Sequence, residues 1–83
     1  MTFDVQFSFE AAAELLRITE FIGSAVTVLK SAEAIRDKLE EAPASKEQLL
    51  SDGLYYIDQA HLRAFFLIDV DAILVEVTDF RVL

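Results

Sequence analysis

The spacing of apolar residues changes twice along the chain, and each change marks a new type of element. Residues 2–9 alternate between polar and apolar, which predicts a strand with one buried face. From Glu10 the apolar residues recur every three or four positions, as in an amphipathic helix. Gly23 tolerates the left-handed conformation that follows a helix, so the first helix is predicted to end there. The helical positions expected to face the core are Ala12, Leu15, Ile18, Phe21 and Ile22.

A second helix is predicted over roughly residues 25–41, and Pro43 stops it. Its apolar positions are Val28, Ala32, Ile35 and Leu39. About two residues join the helices, so they must pack as an antiparallel hairpin. Further along, Ser45 and Gln48 have the spacing of a capping box, which predicts one or two helical turns across residues 46–51.

The remainder of the chain has the alternation of three antiparallel strands with tight connections. Their predicted bounds are 54–58, 61–69 and 72–82. The last two strands form a closing hairpin with apolar side chains on both faces. A helix hairpin covers only one face of a sheet, so the other face needs a second cover or remains an exposed patch, which usually marks an interaction surface. The apolar residues of that second face are Phe65, Leu67 and Leu74.

Two adjacent tyrosines precede this hairpin, and they must face opposite sides of the sheet. One belongs to the core and the other is available to a partner. We assign Tyr55 to the partner-binding set with Phe65, Leu67 and Leu74.

These elements predict an α+β fold in the order β-α-α-β-β-β, as one domain over residues 1–83. The N-terminal strand and the helix hairpin would pack on a small, mainly antiparallel sheet. A chain of 83 residues buries only about 60–65% of its unfolded surface, so oligomerisation would help it.

Composition indicates a folded protein of a reducing compartment. Hydrophobic residues make up 54% of the chain and charged residues 27%. Cysteine is absent, which excludes disulfides and favours the cytoplasm. The first residues have no basic n-region, and no apolar run approaches the ~20 residues of a membrane span, so neither a signal peptide nor a membrane location is expected.

The charge is strongly acidic, with 15 Asp and Glu against 7 Lys and Arg and a formal net charge of −8. Nucleic acid binding draws much of its affinity from Lys and Arg, so a nucleic acid partner is not expected. A single histidine without cysteine predicts no structural zinc site, and two glycines are too few for a nucleotide-binding loop. We therefore expect no metal and no cofactor.

The most specific part of the closing hairpin is Arg63-Ala-Phe-Phe-Leu-Ile-Asp69, followed by Ile73-Leu-Val-Glu-Val77. Together with the element order, these two segments resemble the RelE/ParE superfamily of bacterial toxin-antitoxin modules, which includes plasmid-stabilisation-like proteins. Members of the family tend to have an arginine, two apolar residues, a tyrosine and then x-Ile-Asp at the first of these. The resemblance covers nearly the whole chain.

The resemblance implies candidate catalytic residues. Toxins of the ribonuclease branch cleave messenger RNA with arginines, lysines and a terminal tyrosine or histidine, and this chain matches them at Arg63 and Arg81. His61 is a further candidate, because an imidazole gains and loses its proton close to neutral pH, which suits a general acid or base. We also consider structural roles: an ion pair of Arg63 with Glu76 or Asp79 on the neighbouring strand, and a polar turn position for His61.

The chain departs from the ribonuclease pattern at several places. Phe66 stands where a tyrosine is usual, so that hydroxyl is missing. Basic residues are frequent at the positions of Leu67 and Glu76, and a histidine is expected near Asp79. The chain ends at Leu83 without the terminal tyrosine. These departures predict that RNA cleavage is absent or weak.

Two functional hypotheses follow. The first is a toxin-like protein that acts by binding a protein target or by residual ribonuclease activity, and that is silenced by an antitoxin lying on its sheet and helices. The second is a non-toxic, acidic relative that keeps the fold as a self-associating or protein-binding module, for example as a dimer through its second sheet face.

Overall fold

Seven elements make up the part of the chain that the structure, a computed structural model, describes: residues 2–41, 43, 49–51 and 53–83. The strands form one mixed sheet in the order β1-β5-β4-β3-β2, in which only the β1–β5 pair is parallel. The predicted α+β class and order of elements are confirmed, and β2 is an additional strand. The elements are β1 (Asp4–Phe7), α1 (Phe9–Ile22), α2 (Ala25–Glu41), β2 (Leu49–Ser51), β3 (Leu54–Gln59), β4 (Leu62–Asp69) and β5 (Leu74–Val82).

The position of β2 corrects the helix predicted across residues 46–51. Residues 46–48 lie outside the described part of the chain, and Leu49–Ser51 pair antiparallel with β3. Gly53, with a φ of 75°, supplies the left-handed conformation of the turn between the two strands. The helix prediction is wrong at residues 49–51 because pairing with β3 satisfies backbone groups that a single helical turn would leave to water.

The junction between β1 and α1 lies earlier than the sequence predicts. Ser8 is the N-cap: its backbone is extended, and its hydroxyl accepts a hydrogen bond from the N–H of Ala11 at 3.0 Å. The strand therefore ends at Phe7. Phe9, expected on the buried face of the strand, becomes the first helical residue and is 86% exposed.

Both helices pack on one face of the sheet, and most of their predicted core positions are confirmed. The buried positions are Ala11, Leu15 and Ile18 of α1, with Val28, Ser31, Ala32, Ile35 and Leu39 of α2. Ala12 and Phe21 were expected in the core and are exposed, because the buried stripe of α1 begins at Ala11. Gly23 ends α1 as predicted, with a φ of 76° and its N–H donated to the carbonyl of Thr19.

Both hairpin turns differ slightly from their predicted positions. β3 continues to Gln59, so the first turn is formed by Ala60 and His61 rather than by residues 59 and 60. The second turn takes four residues, 70–73, instead of two. It is fixed by the carboxylate of Asp69, which accepts a hydrogen bond from the N–H of Ala72 at 3.0 Å.

A β-bulge shifts the side chains at the end of β5. Phe65 pairs with Asp79 and Phe66 with Val77, which leaves Thr78 as the extra residue. Its hydroxyl donates a hydrogen bond to the carbonyl of Phe65 at 3.3 Å. Because of the bulge, the core side of β5 continues from Val77 to Phe80 rather than to Asp79.

The core lies between the helices and this face of the sheet. Its largest fully buried side chains come from α2, β4 and β5, and the ring of Phe80 meets that of Phe7 edge to face at 5.2 Å. These side chains are Phe66, Phe80, Ile35, Leu39, Leu62, Val28, Val75 and Val77.

We predict that Phe66→Ala lowers the free energy of unfolding by about 3–5 kcal/mol, because it empties a fully buried aromatic site. The matched control is Phe9→Ala, which removes an 86% exposed ring and should cost less than about 1 kcal/mol. Urea unfolding followed by circular dichroism measures both. Equal losses in the two variants would contradict the placement of the core.

Candidate functional site: the outer face of the sheet

The face of the sheet turned away from the helices, here called the outer face, carries charged and apolar side chains in rows across three strands. Strand pairing places residues of β3, β4 and β5 side by side. The three rows are Asp58-Arg63-Arg81, Tyr56-Phe65-Asp79 and Leu54-Leu67-Glu76.

Arg63 is held by two interactions within the outer face. Its Nε and one terminal nitrogen donate hydrogen bonds to the two carboxylate oxygens of Asp58 at 2.7 and 3.0 Å. Its guanidinium also lies 4.4 Å from the centre of the Tyr56 ring. An ion pair of Arg63 was predicted with Glu76 or Asp79 on β5. That partner is wrong, because Arg63 pairs with Asp58 on β3.

This contact shifts the pKa of both groups. The hydrogen bond from Arg63 lowers the pKa of Asp58, a shift that its partial burial opposes and the positive charge reinforces. The same hydrogen bond is the largest cause that raises the pKa of Arg63. Arg63 therefore stays fully charged, and that charge is already compensated by a neighbouring carboxylate.

Arg81 differs from Arg63 in its surroundings. It pairs with Arg63 across the two strands, and its guanidinium lies 5.6 Å from the centre of the Phe65 ring. Among the described residues, no carboxylate lies within salt-bridge distance of it. Arg81 is thus an exposed cation that an external anion could reach.

His61 lies beyond the first row, in the turn between β3 and β4. Its side chain is exposed, and its backbone carbonyl accepts a hydrogen bond from the N–H of Leu83 at 2.9 Å. The three candidate catalytic residues, His61, Arg63 and Arg81, are therefore gathered at one end of the sheet. Their catalytic role stays a prediction.

The predicted apolar set lies on the outer face, with one exception. Phe65 and Leu74 are half-buried there, and Leu67 is 41% exposed. Tyr55 points to the core side instead, where its ring stacks on Phe66 with centroids 5.7 Å apart. The tyrosine of the outer face is Tyr56, since adjacent strand residues alternate and the pairing register fixes which one faces out.

A cleft of about 240 Å³ opens at the far end of the outer face, next to the turn of the closing hairpin. Its walls combine apolar side chains with two carboxylates. It is lined by Leu67, Ile68, Asp69, Leu74 and Glu76. The face thus has an arginine end and an acidic end, with apolar side chains between them.

A second apolar surface, which the sequence analysis missed, lies on the helices. A groove of about 330 Å³ runs between α1, α2 and the end of β1, and is lined by Phe7, Leu15, Leu29, Ala32, Glu33 and Arg36. We call it the interhelical groove. The signal in the sequence was an excess of apolar residues outside the buried stripes, of which Leu16 is 69% and Leu29 52% exposed.

No metal or membrane site emerges from the described residues. In residues 2–41, 43, 49–51 and 53–83 no three His, Asp or Glu side chains are placed to hold an ion together. Neither of the two helices described here is long and apolar enough to cross a membrane.

Comparison with known proteins gives matches of structure only. No family model and no curated protein match the sequence. The toxin-antitoxin complex RelBE2 from Mycobacterium tuberculosis matches with a TM-score of 0.78 and 16% identity, over 100% of this chain and 93% of that one. A mutant of the E. coli toxin RelE in the free state matches with a TM-score of 0.76 and 17% identity, over 96% of this chain and 82% of that one. The chromosomal ParDE system from P. aeruginosa matches with a TM-score of 0.75 and 12% identity, over 99% of this chain and 97% of that one.

The chain therefore has the RelE/ParE-like fold, and the resemblance drawn from its element order and closing hairpin is confirmed at the level of fold. At these identities the likeness says nothing of individual side chains.

The Asp58–Arg63 pair predicts a pH dependence of stability. The pKa of Asp58 is lower in the folded state, so its contribution is fully present above the ordinary carboxyl pKa near 4 and is lost as the pH falls through the folded value. We expect Asp58→Asn to lower the urea midpoint slightly at pH 7, and the difference from wild type to vanish on acidification. Asp37→Asn on α2 is the control for the loss of one charge. A constant difference down to pH 2 would contradict the assignment.

Proposed function

We propose that this protein is the toxin-type component of a bacterial toxin-antitoxin pair and that it acts in the cytoplasm by binding a protein target through its outer face. Cleavage of messenger RNA is absent or weak in this proposal. The observation that carries it is the state of Arg63, whose charge is compensated by Asp58 at 2.7 and 3.0 Å. The proposal is supported by the similar solved structures named above, which are two toxin-antitoxin systems and a free toxin.

The chemistry of RNA cleavage supports the non-enzymatic interpretation of this site. Cleavage needs a base for the 2′-hydroxyl, a cation for the developing charge and an acid for the leaving oxygen. Phe66 offers no hydroxyl and is fully buried, and Glu76 and Asp79 place negative charge on the face that a phosphate would approach. Arg81 and His61 could supply a cation and either the acid or the base, which leaves one of the three groups missing.

The apolar side chains of the outer face favour a protein ligand instead. Tyr56 and Phe65 are paired across β3 and β4, and Leu67 lies next to them with 41% exposure. Aromatic side chains beside an arginine are the usual centre of a protein interface, because they bury a large area with little loss of conformational entropy.

An antitoxin-type partner would have two surfaces to cover. The outer face accepts an extended or helical segment, and the interhelical groove has the shape and apolar lining that bind one side of an amphipathic helix. Leu29, which lines the groove, would then be covered together with the outer face. A short neighbouring reading frame encoding a DNA-binding N-terminus is the expected source of this partner.

The alternative function is a non-toxic module that keeps the fold and binds proteins or copies of itself. The net charge of −8 favours this alternative as well, and so does the absence from the outer face of the full set of groups that RNA cleavage needs. Growth on expression separates the two functions, because only a toxin arrests it.

We predict that induced expression of the wild-type chain without its partner arrests growth without producing new messenger RNA ends. Leu67→Glu should abolish the arrest, because it places a charge in the apolar centre of the outer face. Arg63→Ala should leave most of the growth arrest, since the charge of Arg63 is already compensated by Asp58. Colony counts and mapping of transcript ends measure these outcomes.

Lys30→Glu is the control for introducing a glutamate at the surface, because Lys30 is exposed on α2, away from the outer face. This variant should keep the growth arrest. Arrest that survives Leu67→Glu, disappears in Arg63→Ala and Arg81→Ala, and coincides with cut transcripts would show a ribonuclease. Unimpaired growth of the wild-type strain at high expression would exclude a toxin and leave the non-toxic module.

We predict that the product of the neighbouring reading frame, co-expressed with this chain, restores growth and copurifies with it. Leu29→Lys should reduce copurification at least about tenfold, since it places a charge in the interhelical groove. Val26→Lys is the control, because Val26 is 65% exposed on the same helix and does not line the groove. Equal losses in both variants would show that the partner binds elsewhere.

A further inference from the structure

The two strands that flank β4 on the outer face carry complementary polar groups. In the first row β3 supplies Asp58 and β5 supplies Arg81, and in the second row β3 supplies Tyr56 and β5 supplies Asp79. These two rows therefore each place an acceptor and a donor on opposite sides of β4, whereas the third row has Leu54 and Glu76 there. A face with this property is complementary to a second copy of itself that is turned about an axis between the two flanking strands.

We propose that two copies of this chain associate through their outer faces, about a two-fold axis that runs along β4. Such an axis exchanges β3 and β5, so that β3 of each copy faces β5 of the other. Phe65 and Leu67 lie on β4 and meet their own counterparts at the centre. Two sheets packed face to face in this way bury the apolar residues of both and leave the polar rows on either side.

The first polar contact joins Arg81 of one copy to Asp58 of the other. Arg81 is exposed and lies on the ring of Phe65, which directs its guanidinium over the face. A carboxylate has about four acceptor positions, and Arg63 uses two of those of Asp58. Asp58 can therefore bind both arginines, and the exposed cation of the monomer finds its anion in the second copy.

The second polar contact joins the hydroxyl of Tyr56 to the carboxylate of Asp79. Tyr56 is half-buried, with the guanidinium of Arg63 above its ring, so its orientation is fixed before association. One oxygen of Asp79 accepts a hydrogen bond from the N–H of Phe80 at 2.9 Å, and the other can accept the phenolic proton.

The polar groups favour this axis over one perpendicular to the strands. A perpendicular axis between Phe65 and Leu67 would bring Arg63 opposite Asp69, but it would also lay β5 on β5, with the like charges of Asp79 and Glu76 opposed and Arg81 opposite Leu74, so that Arg81 would again have no anion. With the axis along β4, Arg63 and Asp69 meet their counterparts only at the two ends of the face. Arg63 is compensated there by Asp58, and the Asp69 side chains lie at the rim, where water and salt screen them.

This association does not rest on the toxin proposal, because it needs only the outer face. One face of so small a sheet belongs to the size class of weak, concentration-dependent complexes. A target or antitoxin that binds the same face would compete with the second copy. The two proposals can therefore be refuted independently. Growth on expression tests whether the protein is a toxin, and the mass of the purified protein in solution tests whether it forms a dimer.

The first test is sedimentation equilibrium of the purified chain over a range of concentrations. We expect a reversible monomer–dimer equilibrium that Arg81→Glu weakens by at least about tenfold, since it turns an attractive contact with Asp58 into a repulsive one. Lys30→Glu changes the net charge by the same amount on the helix side and should leave the equilibrium within about twofold. A monomer at every concentration, or equal effects of the two variants, would overturn the proposal.

The second test locates the axis by cross-linking, which the absence of native cysteines makes simple. Leu67→Cys places one thiol beside its counterpart across facing sheets about 10 Å apart, within the span of a short bismaleimide. We expect Leu67→Cys to form a cross-linked dimer at least about tenfold faster than Leu16→Cys, which carries its thiol on the exposed side of α1. Faster cross-linking through Leu16→Cys would assign the association to the helices and overturn the arrangement.

Discussion

The parallel pairing of β1 with β5 is the contact on which the remaining architecture depends. It joins residues 4–7 to residues 74–77, so nearly the whole chain lies between its two halves. Ser8 fixes the junction from both sides: its N–H donates to the carbonyl of Val77 at 2.8 Å, and its hydroxyl accepts from α1 and donates to Thr78 at 3.3 Å. The start of α1 is thereby tied to the bulge of β5, and the helix hairpin lies over the core face of the sheet.

The same arrangement explains why the two faces of the sheet differ. A hairpin of two helices can shield one face only, and β4 carries apolar side chains on both. The core face is completed by Phe66 and Phe80, whereas the outer face is left with Phe65, Leu67 and a set of charges. The outer face is therefore the sheet surface that the helices leave uncovered, and its chemistry is set by the pairing register of β3, β4 and β5.

Hydrophobic spacing was sufficient to predict the class, the order of elements and most of the core, because those depend on periodicity. It failed where one local contact decides the outcome. Ser8 moves the start of α1 and exposes Phe9, and the bulge at Thr78 decides that Phe80 rather than Asp79 is buried. The partner of Arg63 could not be found from spacing either, because apolar spacing does not fix the register between strands. The register places Asp58 directly opposite Arg63 and places Glu76 opposite Leu67.

The long separation between β1 and β5 has a consequence for synthesis. A chain leaving the ribosome presents β1 and both helices early, yet the strand that completes their core arrives last. Until β5 emerges, Val75, Val77 and Phe80 are missing from the core, and Arg81 is missing from the outer face. A chain that stops before β5 therefore lacks both the last part of the core and the arginine end of the outer face.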